Sequence, residues 1–342
     1  MQARLIYTLL LLTPASSACD SSDDAADSSD AASPGGADLD ELPPVELGGP
    51  VELSWACDNP ELDCGGIECP TSYQRGPLTV PGHPDQAFIV DYPCDLRENE
   101  RVTLVLNLHG GGSFANWQRH YFPLKDFTDE RRLVVVQPQG LPHERDGSTS
   151  TRWTVDGGDD EYIRAVLDFV DEELAERVDF HRFWVVGHSN GGQYGRQIAC
   201  WEEFEGRVTG HLNLSGTSNA NGDFGVACDI NFIFGVGDQE LSLAVPEPNP
   251  VAERLGCGAR SAATEIVDDV AGQIYDNSGR VMREGWGGMP APGSTETHTY
   301  RDCDGGLVVA DYVRVDKGHT EGYEPEVTAH VIERMLAAPQ PN

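Results

Sequence analysis

The most constraining stretch of this 342-residue chain is Val185-Val186-Gly187-His188-Ser189-Asn190-Gly191-Gly192. The apolar run Phe183-Trp184-Val185-Val186 reads as a buried strand, and Gln193 to Trp201 can continue as a helix, so the glycines must make a strand-to-helix turn. A serine at the tip of such a turn sits in strained backbone. Side chains two residues before and after it would collide with neighbouring backbone, and Gly187 and Gly191 remove that collision. Ser189 is therefore the candidate nucleophile.

The same alternation runs through the chain. Val102 to Leu108 is nearly continuous in apolar residues and ends in His109-Gly110-Gly111-Gly112-Ser113; Leu133 to Val136 is a second such strand and ends in Gln137-Pro138-Gln139-Gly140. Asp159-Asp160-Glu161 opens a helix with apolar spacing at Ile163, Val166, Leu167, Val170 and Leu174, its acidic first turn suited to the positive end of the helix dipole. Val208 to Leu214, Asn231 to Val236 and Leu307 to Val315 read as further strands, and a last helix starts from Glu324. Leu78 to Val80 and Ala87 to Tyr92 pair as outer strands across the turn 81–85. This order predicts an α/β fold with a mostly parallel central sheet, helices on both faces and a ligand site beyond the carboxyl ends of the strands.

Residues 258–302 are polar and rich in Gly and Pro. They are expected to form an excursion over the domain surface, helical only over Ala262 to Val270, with Trp286 packing it onto the body.

Address and partners follow from composition. Arg4, the apolar run Leu5 to Leu12 and Thr13 to Cys19 have the three zones of an export signal, too short to span a membrane. Cleavage can fall before Cys19, which would then carry a lipid, or at an ordinary A-x-A site. The first is favoured because residues 20–42 hold eight acidic and no basic residues among Ala, Ser, Gly and Pro, as a disordered tether does. The expected organisation is a signal over 1–18, a lipidated Cys19 with tether to 50, a Cys-rich lead-in over 51–72, and one domain over 73–338. The net charge of −34 argues against nucleic acid or an anionic membrane surface as partner. A monomer touching the membrane only through its anchor is expected.

Without Cys19, eight of the nine cysteines remain, an even number in an exported chain, which reads as disulfides. Cys257 with Cys303 would tie off the excursion, and Cys200 with Cys228 would join the helix after Ser189 to the segment before the Asn231 strand; Cys57, Cys64, Cys69 and Cys94 would pair among themselves. No metal or cofactor is expected. The early cysteines lack paired C-x2-C spacing, and the acidic group Asp156, Asp159, Asp160 and Glu161 is explained by the helix start better than by calcium.

A serine hydroxyl needs a base, and the base needs an orienting acid. Both belong on loops after later strands. His319 follows Leu307 to Asp316, and Asp238 follows Phe232 to Gly237; Asp229, His298 and His330 are worse placed. The oxyanion needs two backbone N–H donors held in advance. Asn190 supplies one, and Gly111, or failing it Gly112, the other, with His109 bracing that turn. Phe114, Trp117, Trp153, His188 and Trp286 are candidates to line a substrate cleft.

His109-Gly110-Gly111-Gly112-Ser113, Trp153 with Asp159-Asp160, Gly187 to Gly192, Gly237-Asp238, Gly256-Cys257, Tyr300-x-x-Cys303 and Gly318-His319-Thr320 together resemble the polyhydroxybutyrate depolymerase and feruloyl esterase group of α/β-hydrolases, over 73–338. The resemblance implies an extracellular serine esterase without cofactor, acting on polyhydroxyalkanoate or on hydroxycinnamoyl and acetyl esters of plant polysaccharide. Many members follow His-Thr with Trp-Pro-Gly, where this chain has Glu321-Gly322-Tyr323. Acyl transfer through the same acyl-enzyme, and an inactive hydrolase fold serving as a surface binding module, are the other readings.

Overall fold

A computed structural model describes residues 44–63, 68–69, 76–145, 148–154, 158–216, 225–240, 249–275 and 291–341. The export signal, Cys19, most of the tether, Cys64, Asp156 and Trp286 lie outside the described residues.

The domain is built on a ten-stranded sheet. Six strands run parallel in the spatial order Leu133–Pro138, Arg101–Leu108, Asp179–His188, Gly210–Leu214, Asn231–Gly237 and Val309–Arg314. Ala87–Asp91 and Leu78–Thr79 continue one edge antiparallel, as the sequence pattern predicts. This order, with helices on both faces, is that of an α/β-hydrolase fold.

Both faces of the parallel strands are buried, which explains their unbroken apolar sequence. Val102, Leu104, Leu106, Phe183, Val185, Phe232 and Phe234 face one core with Ile163, Val166, Leu167 and Val170 of helix Asp159–Leu174 and Ile198 of helix Asn190–Ile198. Val105, Val135, Trp184, Val186 and Ile233 face the other, against Trp117 and Tyr121 of helix Ala115–Tyr121 and Val327, Val331, Ile332 and Met335 of helix Pro325–Ala337.

At the far edge the structure corrects the reading of 258–302. Thr264–Asp268 is a strand, not a helix, and it pairs antiparallel with Gly293–Tyr300, which pairs in turn with Val309–Arg314. The described parts of this stretch therefore extend the sheet. The signal lay in Thr295-Glu296-Thr297-His298-Thr299-Tyr300: alternate residues Thr295 and Thr297 are buried while Glu296 is exposed, a period of two in polar, β-branched residues that a search for apolar runs passes over.

Disulfides join Cys57 to Cys94, Cys200 to Cys228 and Cys257 to Cys303. The first staples the lead-in, whose Val51 packs in the core and whose Trp55 ring meets Phe169 at 5.3 Å. Three disulfides indicate an oxidising compartment. No helix among the described residues is long and apolar enough to cross a membrane.

The candidate active site

The chain runs outward from strand Arg101–Leu108 to Leu133–Pro138, then jumps back to place Asp179–His188 on the opposite side of Arg101–Leu108. The crevice left where the order reverses lies between the carboxyl ends of Arg101–Leu108 and Asp179–His188, paired Leu108 to Gly187. Both glycine motifs open onto it.

Ser189 stands between its strand and helix Asn190–Ile198 with φ 52° and ψ −115°. A Cβ on Gly187 would lie 2.3 Å from the Gly191 carbonyl oxygen, and one on Gly191 2.5 Å from the Leu108 and His109 carbonyl oxygens, so neither position tolerates a side chain. Asn190 is the first residue of the helix, where a backbone N–H has no intrahelical partner and carries the positive end of the dipole.

Across the crevice, His109 is fully buried; its Nε2 accepts from the Gly140 N–H at 2.9 Å and its Nδ1 lies 2.8 Å from the Gly110 carbonyl oxygen. Burial lowers its pKa to about 4, so it holds the turn as a neutral ring. Within that turn the two oxyanion candidates separate. Gly112 donates its N–H to the Thr151 carbonyl at 2.6 Å and is thereby used up, whereas Gly111 lines the cleft beside Ser189 and Asn190.

The carboxylate beside His319 differs from the one expected. His319 Nδ1 is 2.6 Å from Glu240 Oε2, while Asp238 is exposed. A turn accounts for the exchange: Glu240 N–H donates to the Gly237 carbonyl, so the side chains at 238 and 239 face solvent and the fourth residue of the turn comes back under the base. Glu240 Oε1 accepts from Ser215 Oγ at 2.6 Å and from the Gly237 N–H at 2.9 Å, leaving its buried carboxylate held at both oxygens. A Cβ on Gly237 would lie 2.2 Å from the Lys317 carbonyl oxygen. That glycine lets the loop carrying His319 close on the turn carrying Glu240.

The loop carrying His319 is fixed from below. Arg314, buried, donates to the carbonyls of Glu321 and Gly322 at 2.7 and 2.6 Å and pairs with Glu324, and its guanidinium lies 4.2 Å from the centre of the Tyr323 ring. Tyr323 N–H donates to the Tyr121 carbonyl at 2.7 Å. Glu321 and Tyr323 are both buried, so this segment is part of the loop's support.

His188, a cleft candidate from sequence, is a further part of that support. It is buried, its Nε2 lies 2.9 Å from the His319 carbonyl oxygen, and its ring packs against Tyr121 at 4.1 Å. Burial, reinforced by the neighbouring His319, holds it well below the ordinary imidazole range, so Nε2 donates as a neutral ring. The other aromatic candidates move likewise. Phe114, Trp117 and Trp153 are 4%, 2% and 2% exposed, which makes them core. Trp153 donates Nε1–H to the His109 carbonyl at 2.8 Å, stacks on Tyr194, and has its backbone N–H and carbonyl bound by the Asn190 side chain at 2.7 and 3.2 Å. Large aromatics near a glycine turn do not separate bracing from substrate contact at the level of sequence. Asp159 accepts from Thr154 N–H and Oγ at 2.9 Å, and Asp160 from Tyr194 OH at 2.5 Å, so both acids tie this same bracket together.

What lines the cleft instead is polar. Gly111, His143, Ser150, Arg152, Asn190 and Gln193 surround a space of about 330 Å³ that opens on Ser189. His143 and Ser150 belong to the hairpin Pro142–Arg145 and Ser148–Thr151, and Arg152 follows it directly.

No family model matches the chain, and no curated protein matches it. Solved structures similar to it include an acetyl xylan esterase from Aspergillus awamori, at 14% identity and TM-score 0.44 over 78% of this chain and 98% of that one. A thermostable esterase is similar at 17% identity and TM-score 0.33, over 49% of this chain, which spans 48% of that protein. S-formylglutathione hydrolase from Staphylococcus aureus is similar at 17% identity and TM-score 0.35, over 50% of this chain and 77% of that one.

Proposed function

We propose that this protein is an exported serine carboxylesterase in which Ser189, His319 and Glu240 act as nucleophile, base and orienting acid. The observation that carries the reading is the 2.6 Å contact of His319 Nδ1 with a buried glutamate, on the same sheet edge as a serine held at a strained elbow. With Nδ1–H held by Glu240, the lone pair of the neutral His319 ring is on Nε2. The Ser189 hydroxyl adds to the ester carbonyl as its proton passes to Nε2, and the oxyanion is met by the N–H groups of Asn190 and Gly111. Collapse expels the alcohol, protonated by His319, and leaves an acyl-serine. Water, deprotonated by the same ring, then releases the acid and restores the serine.

Polyhydroxyalkanoate and feruloyl or acetyl polysaccharide esters are the substrate classes that the sequence resemblance supports. We place the enzyme as a monomer at the cell surface, its acidic tether keeping the domain clear of a bilayer that it meets through a lipid on Cys19. Its charge of −34 keeps nucleic acid away. Ser189→Ala should abolish fluorophosphonate labelling and lower hydrolysis of p-nitrophenyl acetate by at least ~10³-fold, with an unchanged circular dichroism spectrum. Labelling that survives in the variant would remove Ser189 from the role.

A further inference from the structure

The cleft beside Ser189 holds a cation that the esterase chemistry above does not use. Arg152 lines that cleft, half-buried, and its Nε is shielded from solvent without a hydrogen-bond partner. Among the described residues no carboxylate forms an ion pair with it, although Asp and Glu number 57 against 23 Lys and Arg in this chain. Other exposed or half-buried arginines show the contrast: Arg101, Arg132, Arg164, Arg207 and Arg254 each meet a carboxylate oxygen within 3.2 Å. The other described residues lining it are Gly111, His143, Ser150, Ser189, Asn190 and Gln193, with no carboxylate among them.

A guanidinium is a planar fork of donors that fits a carboxylate through two parallel hydrogen bonds, and it costs free energy to leave in a half-buried cleft without a counter-charge. In so acidic a chain a neighbouring carboxylate would be the ordinary remedy. We propose that the counter-charge comes from the substrate: the enzyme takes an ester bearing a free carboxylate, which Arg152 binds while the ester carbonyl lies over Ser189. This rests on the serine esterase reading and narrows it, from esters in general to half-esters of diacids or esters of hydroxy acids and uronates. The carboxylate can belong to the acyl part or to the alcohol part.

Two pairs of substrates separate those sources. Mono-p-nitrophenyl glutarate and its methyl-capped diester place the charge on the acyl side; acetoxyacetate and its methyl ester place it on the alcohol side. A charge-assisted pair of hydrogen bonds is worth a ten- to hundredfold preference, so wild-type kcat/KM for the free acid should exceed that for the capped ester by about tenfold or more in one pair. Arg152→Ala should erase that preference while changing kcat/KM on p-nitrophenyl acetate by less than about twofold, and Arg152→Lys should restore part of it. Equal rates on capped and free esters in both pairs, or an equal loss on acetate and on the acids in Arg152→Ala, would overturn the proposal. If no ester is turned over and Ser189 is not labelled, the esterase reading fails separately. The anion site is then read by calorimetric titration of glutarate into Ser189→Ala: binding that weakens at least about tenfold when Arg152→Ala is added supports it, and equal or absent binding refutes it.

Discussion

The elbow that carries Ser189 and the turn that carries Glu240 lie two strands apart on one sheet edge, yet they are specified differently. At the elbow, backbone touches backbone: a Cβ at Gly187 or Gly191 would come within 2.3 to 2.5 Å of a carbonyl oxygen, so only glycine fits and the pattern is written into local sequence. At the acid turn the backbone is permissive. Asp238 and Glu240 are both carboxylates within one four-residue turn, and which of them meets His319 depends on Gly237 closing against Lys317 and on Ser215 arriving from another strand end. A steric requirement leaves a motif, whereas a choice between neighbouring carboxylates is made by packing.

The largest expected effect that breaks this comparison is at the acid. Glu240→Gln should lower kcat by roughly 10² to 10⁴-fold, because an amide at Oε2 favours the wrong imidazole tautomer, whereas Asp238→Asn should leave kcat within about twofold. Steady-state kinetics on p-nitrophenyl acetate decide it, and the reverse ranking would return the role to Asp238.

Removal of the Cys257–Cys303 bond comes next. It closes a loop of 46 residues that carries the two outermost strands on that side of the sheet, and the double change to serine should cost about 4 kcal/mol in the chain-entropy account. Urea unfolding reads the loss. Fluorophosphonate labelling of Ser189 at low denaturant should survive it, since the elbow is held by its own packing; labelling that disappears with the bond would show that the two regions fold as one unit.

The smallest effect per group is the pH response. Burial lowers His109, His120 and His211 to about 4, so each ring stays neutral in the folded chain while the unfolded chain takes up a proton near 6.5. The stability tied to these rings is whole above pH 6.5 and is lost as pH falls toward 4, by roughly 3 kcal/mol per ring. Asp159 and Asp311, raised by burial, work in the other sense. His109 and His211 pack against the elbow: His109 through its turn, and His211 through the Val185 carbonyl at 2.8 Å and against Gly195. Hydrogen exchange between pH 7 and pH 4.5 should therefore lose protection at 185–198 before 231–237. Loss in the opposite order would contradict the assignment.

Much of the fold was legible because parallel strands buried on two faces must be apolar throughout, as Val102 to Leu108 and Phe183 to Val186 are. The strand Gly293–Tyr300, next to the sheet edge, was not, because one strand's worth of Thr-Glu-Thr-His-Thr looks like loop until a partner covers alternate residues. Trp153, Trp117 and Phe114 were identified as important but given the wrong surroundings, since an aromatic ring buries its area equally well in a bracket or a cleft.

By itself, then, the sequence determined the backbone devices of this protein: the elbow at Ser189, the braced glycine turn after Leu108, the order of strands and the placing of His319 beyond a strand end. These follow from sterics and from apolar continuity, which act between residues close in the chain. Tertiary structure alone decided that Glu240 rather than Asp238 meets His319, that Gly112 rather than Gly111 gives its N–H to the Thr151 carbonyl, and that Arg152 rather than Trp117 or Trp153 lines the cleft. Each of those is a competition between near-equivalent groups a few residues apart, settled by which of them a distant segment leaves room to approach.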